Sequence, residues 1–305
     1  MPNACWVHCF LHRQALAAKA CPQEYSQVLN IAIKIVNSIK GKALQTRLFR
    51  ITCEDMGALH QNLLYHTEVR WLSKGKVLAG IMELRAELLI YLQQVKSEYS
   101  EFICDPEFLL KLAFLSDLFD HLNILNKSLQ GRNENVITAK DKIRDFTKKI
   151  DLWSSSLNQN NFDAFSSTQY FTEEVGCEVN IKTYITGMKM VLDNLKEDLC
   201  HYFSEQEISE NTGQRWIINP FLNAAINEAS LPNKLKENLL EISADGMLHL
   251  EFKFSNLDTF WLMRKTEYPE LTTEALKCLI PFATSYLCKL TFSSMAQIKV
   301  YKEIA

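Results

Sequence analysis

Asp105-Pro106-Glu107-Phe108-Leu109-Leu110-Lys111-Leu112-Ala113-Phe114-Leu115-Ser116-Asp117-Leu118-Phe119-Asp120-His121-Leu122 decides the fold class. Asp105-Pro106 opens a helix with proline just inside its start, where the missing N–H costs nothing. Leu109, Leu112, Phe114, Leu118, Leu122 and Leu125 then recur at helical spacing, and Gly131 stops the run. The same period appears on both sides. From Tyr25 to Lys40 it is carried by Val28, Ile31, Ile35 and Ile39, with Gly41 as the expected C-cap. Residues 43–65 continue it through Leu44, Leu48, Ile51, Leu59 and Leu63. A segment from about Lys76 to Phe102 carries Val77, Ile81, Leu84, Leu88, Leu92 and Val95 as a stripe. Segments 134–158 and 180–203 read as further helices, separated by a polar break at Asn158-Gln159-Asn160-Asn161, and 205–214 reads as a polar loop. Only 9 Gly and 7 Pro punctuate the 305 residues, so the expectation is a predominantly α fold.

One stretch departs from this period. Met247-Leu248-His249-Leu250-Glu251-Phe252-Lys253-Phe254 alternates apolar and polar residues and predicts the chain's one strand, over 247–254. Two helices are expected to close the protein, at about 256–267 and 270–290. Pro269 lies between them and Pro281 interrupts the second.

Hydrophobic content of 47% and charged content of 23% are those of an ordinary globular protein, long enough for one large domain or two smaller ones. The net charge of −3 makes no whole-chain case for nucleic acid. Residues 1–100 hold 12 Lys and Arg against 7 Asp and Glu, whereas both later thirds are acidic, which is compatible with one anion-facing surface. Nine scattered cysteines, an odd number, suit a reducing compartment better than a disulfide framework. No apolar run approaches the roughly 20 residues that span a bilayer. Without a basic n-region, and with Arg13 breaking its apolar stretch, the N-terminus predicts no signal peptide. The compartment expected is the nucleus, with the cytoplasm as the alternative.

Cys5-Trp6-Val7-His8-Cys9-Phe10-Leu11-His12 contains two Cys-x-x-His steps. On one helix, ligands at 5, 8, 9 and 12 would spread over about 10 Å, too far to close a tetrahedron with bonds near 2 Å. Local packing is therefore expected here, and no metal. The run His66-Thr67-Glu68-Val69-Arg70-Trp71-Leu72-Ser73-Lys74-Gly75-Lys76 has two readings. Arg70, Trp71, Lys74 and Lys76 could contact DNA, cations on phosphate and indole on an unpaired base. The favoured reading is a buried anchor Trp71 beside a helix start, with Lys74 and Lys76 solvated. Phosphate-loop, serine-hydrolase and zinc-protease motifs are all missing, so no cofactor is expected.

The residues of three stretches together resemble hAT-superfamily DNA transposases and the host proteins derived from them. His8-Cys9-Phe10-Leu11-His12-Arg13-Gln14-Ala15-Leu16-Ala17 is similar to that family's His-Cys-x-x-His-Arg-Gln-Ala-Leu-Ala element, with Cys9 and His12 at its Cys and His. Arg70-Trp71 resembles the motif that opens the family's all-helical insertion. Leu279-Ile280-Pro281-Phe282-Ala283-Thr284-Ser285-Tyr286-Leu287-Cys288-Lys289 resembles its C-terminal signature, in which Glu follows Tyr-Leu-Cys. The resemblance implies a remnant of an RNase H-like segment at 1–20, a helical insertion at 21–245, and an RNase H-like remnant with the dimerisation region at 246–305. It implies Phe260, Trp261, Tyr268, Leu276, Phe282, Tyr286 and Phe292 as dimerisation candidates.

It also implies that the activity is lost. The family's Glu is the third acid of an Asp-Asp-Glu site that holds two divalent metals, and Lys289 stands in its place. At about 4 Å and an effective dielectric near 20, an ammonium facing a divalent cation is opposed by roughly 8 kcal/mol. The strand bearing the second Asp would precede His8, where this sequence holds seven residues. The expectation is a catalytically inactive relative of zinc-finger-BED and SCAN-domain transposase derivatives, acting through self-association or pairing with longer relatives. The alternatives are a DNA-binding transcriptional regulator using the basic first third, and a fragment of a longer transposase-like product.

Overall fold

In a computed structural model the described residues are 8–19, 21–60, 63, 73–131, 134–175, 180–203, 212–286, 288, 291, 292, 294 and 295. Among them every regular element is a helix. They form two compact units, each treated separately: one of residues up to Gln14, Lys127–Phe146 and from Cys200 onward, and one of Ala15–Asn126 with Thr147–Leu199.

The chain begins with α1, Phe10–Ala17, and α2, Gln23–Lys40. Tyr25, Val28, Leu29, Ala32, Ile35, Val36 and Ile39 give α2 one continuous buried face at three- and four-residue steps. Gly41 ends it as expected, in a right-handed conformation, its N–H on the Asn37 carbonyl at 2.8 Å. Next comes α3, Ala43–Asp55, which packs on α2. Here the expected stripe is on the wrong side. Phe49, Thr52 and Cys53 are buried, whereas Leu44, Leu48 and Ile51 are exposed at 64%, 40% and 48%.

The expected long helix over Lys76–Phe102 is three pieces: α4, Ser73–Glu83, α5, Arg85–Gln94, and α6, Ser100–Cys104. Its stripe survives the breaks, because Val77, Ile81, Leu84, Leu88 and Leu92 are all buried. Buried Leu84 sits at the first break; Lys96, with φ of 48°, closes α5 in the left-handed region. The Ser97 N–H reaches back to the Leu92 carbonyl at 2.9 Å, which is the six-to-one bond of a helix C-terminus.

The central element is α7, Pro106–Ser128, opened as expected: the Asp105 carboxylate accepts from the Glu107 N–H at 2.9 Å. Phe108, Leu109, Leu110 and all of Leu112–Phe119 are buried, so this part of α7 is enclosed on every side. Then α8, Val136–Asn158, starts at Asn135, whose side-chain oxygen accepts from the N–H groups of Ile137 and Thr138 at 2.9 and 3.0 Å. Two more helices follow, α9, Ser166–Val175, and α10, Ile181–Tyr202. The first turn of α9 is capped from α7. Buried Asp117 accepts from the N–H groups of Ser167 and Thr168 at 3.0 and 2.9 Å and from the Thr168 hydroxyl at 2.8 Å.

A short 3₁₀ turn at Thr212–Gln214 leads into α11, Arg215–Ile218, α12, Asn223–Asn227, and α13, Asn233–Ala244. The strand expected at 247–254 is instead α14, Gly246–Phe254. Asp245 decides this locally, because its carboxylate accepts from the Met247 and Leu248 N–H groups at 2.7 and 3.1 Å and caps the first turn. Packing completes it: Leu248 and Phe252, four residues apart, turn toward the core on one helix face, which an alternating strand would also allow but without a partner strand to pair with. The last elements are α15, Leu257–Met263, and α16, Pro269–Leu279. Pro269 takes the first turn of α16, and Pro281 follows just after its end rather than lying inside a longer helix. Trp216, Phe260 and Trp261 centre this core; the indole N–H of Trp261 donates to the Ile217 carbonyl at 2.9 Å, and its ring meets Trp216 edge-on at 5.3 Å.

Candidate functional site

The first and third family-like stretches come together in one unit. The Phe10 N–H donates to the Ala283 carbonyl at 3.0 Å, and the Ser285 N–H and hydroxyl lie 3.4 and 3.6 Å from the Cys9 sulfur. Burial alone would raise the Cys9 pKa. Hydrogen bonding to Ser285, and to the His12 and Leu11 N–H groups at the start of α1, outweighs it and holds the thiol below its usual value. Arg13 is buried with its guanidinium 4.4 Å from the Phe10 ring and 4.2 Å from the Phe203 ring, donating to the Tyr202 carbonyl at 3.1 Å. His12 is exposed, its ring 5.5 Å from that of His8. Cys9 and His12 thus take separate roles, one facing Ser285 and one facing solvent. Cys5 and Lys289 lie outside the described residues.

Of the four DNA-contact candidates, Arg70 and Trp71 lie outside the described residues. Lys76 is exposed on α4, and Lys74, two residues earlier and on the opposite side of the helix, is half-buried and lines a cavity. Nothing in the local run of residues distinguishes the surroundings of Lys74 from those of Lys76.

The dimerisation candidates divide sharply. Phe260 and Trp261 have no exposed surface and belong to the core, so packing is their role and a contact surface is not available from them. Tyr268, Leu276 and Tyr286 are half-buried. Phe282 and Phe292 are exposed at 61% and 71%. A surface that sequence reading missed lies on α14. Met247, Leu250 and Phe254 share one helix face and are 74%, 51% and 85% exposed, while Leu248 and Phe252 on the other face pack into the core. Their three- and four-residue spacing was legible, but it was hidden under the stronger two-residue alternation. An open groove of about 780 Å³ beside Asn161, Gln169 and Lys182 has a mixed amide and charge lining with no converging catalytic pair among the described residues.

Comparison with known proteins gives two similarities. The FAM200/GTF2IRD2 helical domain, of the FAM200-GTF2IRD2-like family, matches residues 8–158, in keeping with the helices that are the regular elements among the described residues of that stretch. More particularly, the chain is similar to a General transcription factor II-I repeat domain-containing protein 2 of Bos taurus, 25% identical over 289 residues. That similarity covers 95% of this chain but only 29% of the relative's length. No solved structure matches the chain.

Proposed function

We propose that this is a transposase-derived protein of hAT descent, without transposition chemistry, that works in the nucleus through protein–protein association. Descent is supported by the three family-like stretches, two of which pack together at Cys9 and Ser285. It is supported too by the match over residues 8–158 and by a relative whose similarity runs along almost the whole of this chain. Loss of chemistry is supported by Lys289, a cation where the family has a metal-binding carboxylate. A nuclear address accords with the name of that relative, a general transcription factor repeat protein.

The observation that carries association is the bare stripe Met247–Leu250–Phe254. A helix that is apolar on both faces needs a second partner for the outer one. The occupant proposed is another copy of this chain or a longer relative that carries the same helix. Size-exclusion chromatography with light scattering should find an oligomer at high micromolar concentration, reverting to monomer in the Leu250→Asp, Phe254→Asp double variant. A wild type that stays monomeric, alone and when mixed with the longer relative, would overturn the reading.

A second reading is favoured by the exposure of Lys76 within the basic first third: a DNA-binding regulator. It requires a mobility shift of duplex or hairpin DNA that weakens steeply with salt. Absence of any shift at low salt removes it.

A further inference from the structure

Beside the first turn of α4 lies a cavity of about 90 Å³, several times the space that one water needs. Part of its wall is apolar, from Phe119 and Leu122 of α7 and Leu195 of α10. Leu29, Leu115, Leu118 and Val191 extend that apolar wall, and the polar part of the lining is Lys19, Ser26, Asn30 and Lys74, with the Cys21 thiol. The lysines come from stretches more than fifty residues apart, so only the fold brings them to one space.

Lys74 is half-buried, its ammonium 5.9 Å from the centre of the Phe119 ring. Among the described residues no carboxylate pairs with it; the titratable neighbours it feels are Lys19 and Cys21. Burial first, and then Lys19, depress its pKa, with Cys21 opposing. Cys21 itself is pushed up to about 11 by burial, Lys74 working against that, so at neutral pH it is a thiol and supplies no negative charge. A half-buried cation with a second, exposed one beside it and, among the described residues, no carboxylate on it is stabilised when a counter-charge enters. The first turn of α4 contains no acidic residue, so its free N–H groups add positive potential at the same end. Its seat is fixed, because a Cβ on Gly75 would lie 2.7 Å from the Asn123 side-chain nitrogen and 3.2 Å from the Phe119 Cβ.

We propose that this cavity binds a phosphate group. Two ammonium groups, the Ser26 hydroxyl and the Asn30 amide offer charged and neutral donors around a space of the right size for a tetrahedral oxyanion. The site is independent of the association surface. Its phosphate could be free, the terminal monoester of a larger ligand, or a diester of a nucleic-acid backbone.

The test is thermal unfolding and calorimetric titration of the full chain with sodium phosphate against sodium chloride at matched ionic strength. Phosphate should bind saturably and raise the unfolding temperature. Lys74→Met, which keeps the apolar stem over Phe119, and Lys19→Gln, at an exposed position, should each weaken binding by about tenfold or more. Should the Lys74 variant not fold, the Lys19 variant decides. Competition by a duplex oligonucleotide with and without a 5′-phosphate identifies the source. Competition only by the phosphorylated duplex marks a terminal monoester, equal competition marks a backbone diester, and none marks a small free phosphate. Phosphate that acts no differently from chloride, or lysine variants that bind like wild type, would overturn the proposal.

Discussion

Asp117 shows how much one side chain can hold. It is buried in α7 and closes three hydrogen bonds onto the first turn of α9, fifty residues away. Ala at this position leaves two helix N–H groups and a hydroxyl without their acceptor in a buried setting. Asp117→Ala should therefore cost about 2–3 kcal/mol, read as a lower urea midpoint, and Asp117→Asn distinctly less. Cys9 is read through reactivity instead. A thiol whose folded pKa lies below its unfolded 9.0 contributes stability that is in place above the unfolded value and fades as pH falls through the folded one. At neutral pH that contribution is small, but the thiolate fraction is raised. Cys9 should be alkylated at pH 7–8 well ahead of Cys53, whose pKa burial pushes to about 11, and Ser285→Ala should slow Cys9. Peptide mass spectrometry after timed labelling checks both; a Cys9 rate unchanged by Ser285→Ala would refute the assignment. Neither residue's partner was legible in the sequence, since each contact joins segments far apart in the chain.

At the scale of elements, the helices were legible wherever buried side chains recur every three or four residues, as along α2, α7 and α10. Misreadings have specific causes. The stripe Leu44, Leu48, Ile51 has the right period but faces outward, because Phe49 and Cys53 fill the core side of α3 instead. Period identifies a helix; it does not say which apolar face is covered. The segment 247–254 fits both periods, and the Asp245 cap with the inward pair Leu248 and Phe252 selects the helix. Breaks inside a continuous stripe left no mark either: Leu84 and Lys96 are ordinary helix formers by composition. Lys96 holds a left-handed conformation that a Cβ disfavours. Lys96→Gly should stabilise the protein by about 0.5–1 kcal/mol despite the added freedom of the unfolded chain. Chemical denaturation measures this, and a destabilised variant would show that the Lys96 side chain makes up for its backbone.

For the molecule as a whole, the two compact units cut the chain differently from the division at residue 245 that the resemblance implies, since the stretch from Cys200 onward groups with the C-terminal helices. If the apolar stripe on α14 is an association surface, stability is linked to concentration. The unfolding temperature of the wild type should rise with protein concentration, and that of Leu250→Asp, Phe254→Asp should not. Equal behaviour of the two would set the stripe aside. Sequence by itself determined the helical class, the starts of α7 and α16 at their prolines, and the lysine at position 289. These are properties of local period, local backbone chemistry and residue identity. Tertiary structure alone decided that Phe260 and Trp261 are core, that Met247, Leu250 and Phe254 are surface, and that Lys19 and Lys74 share a cavity. Burial is a relation between segments distant along the chain, and the residue types involved are equally at home on either side of it.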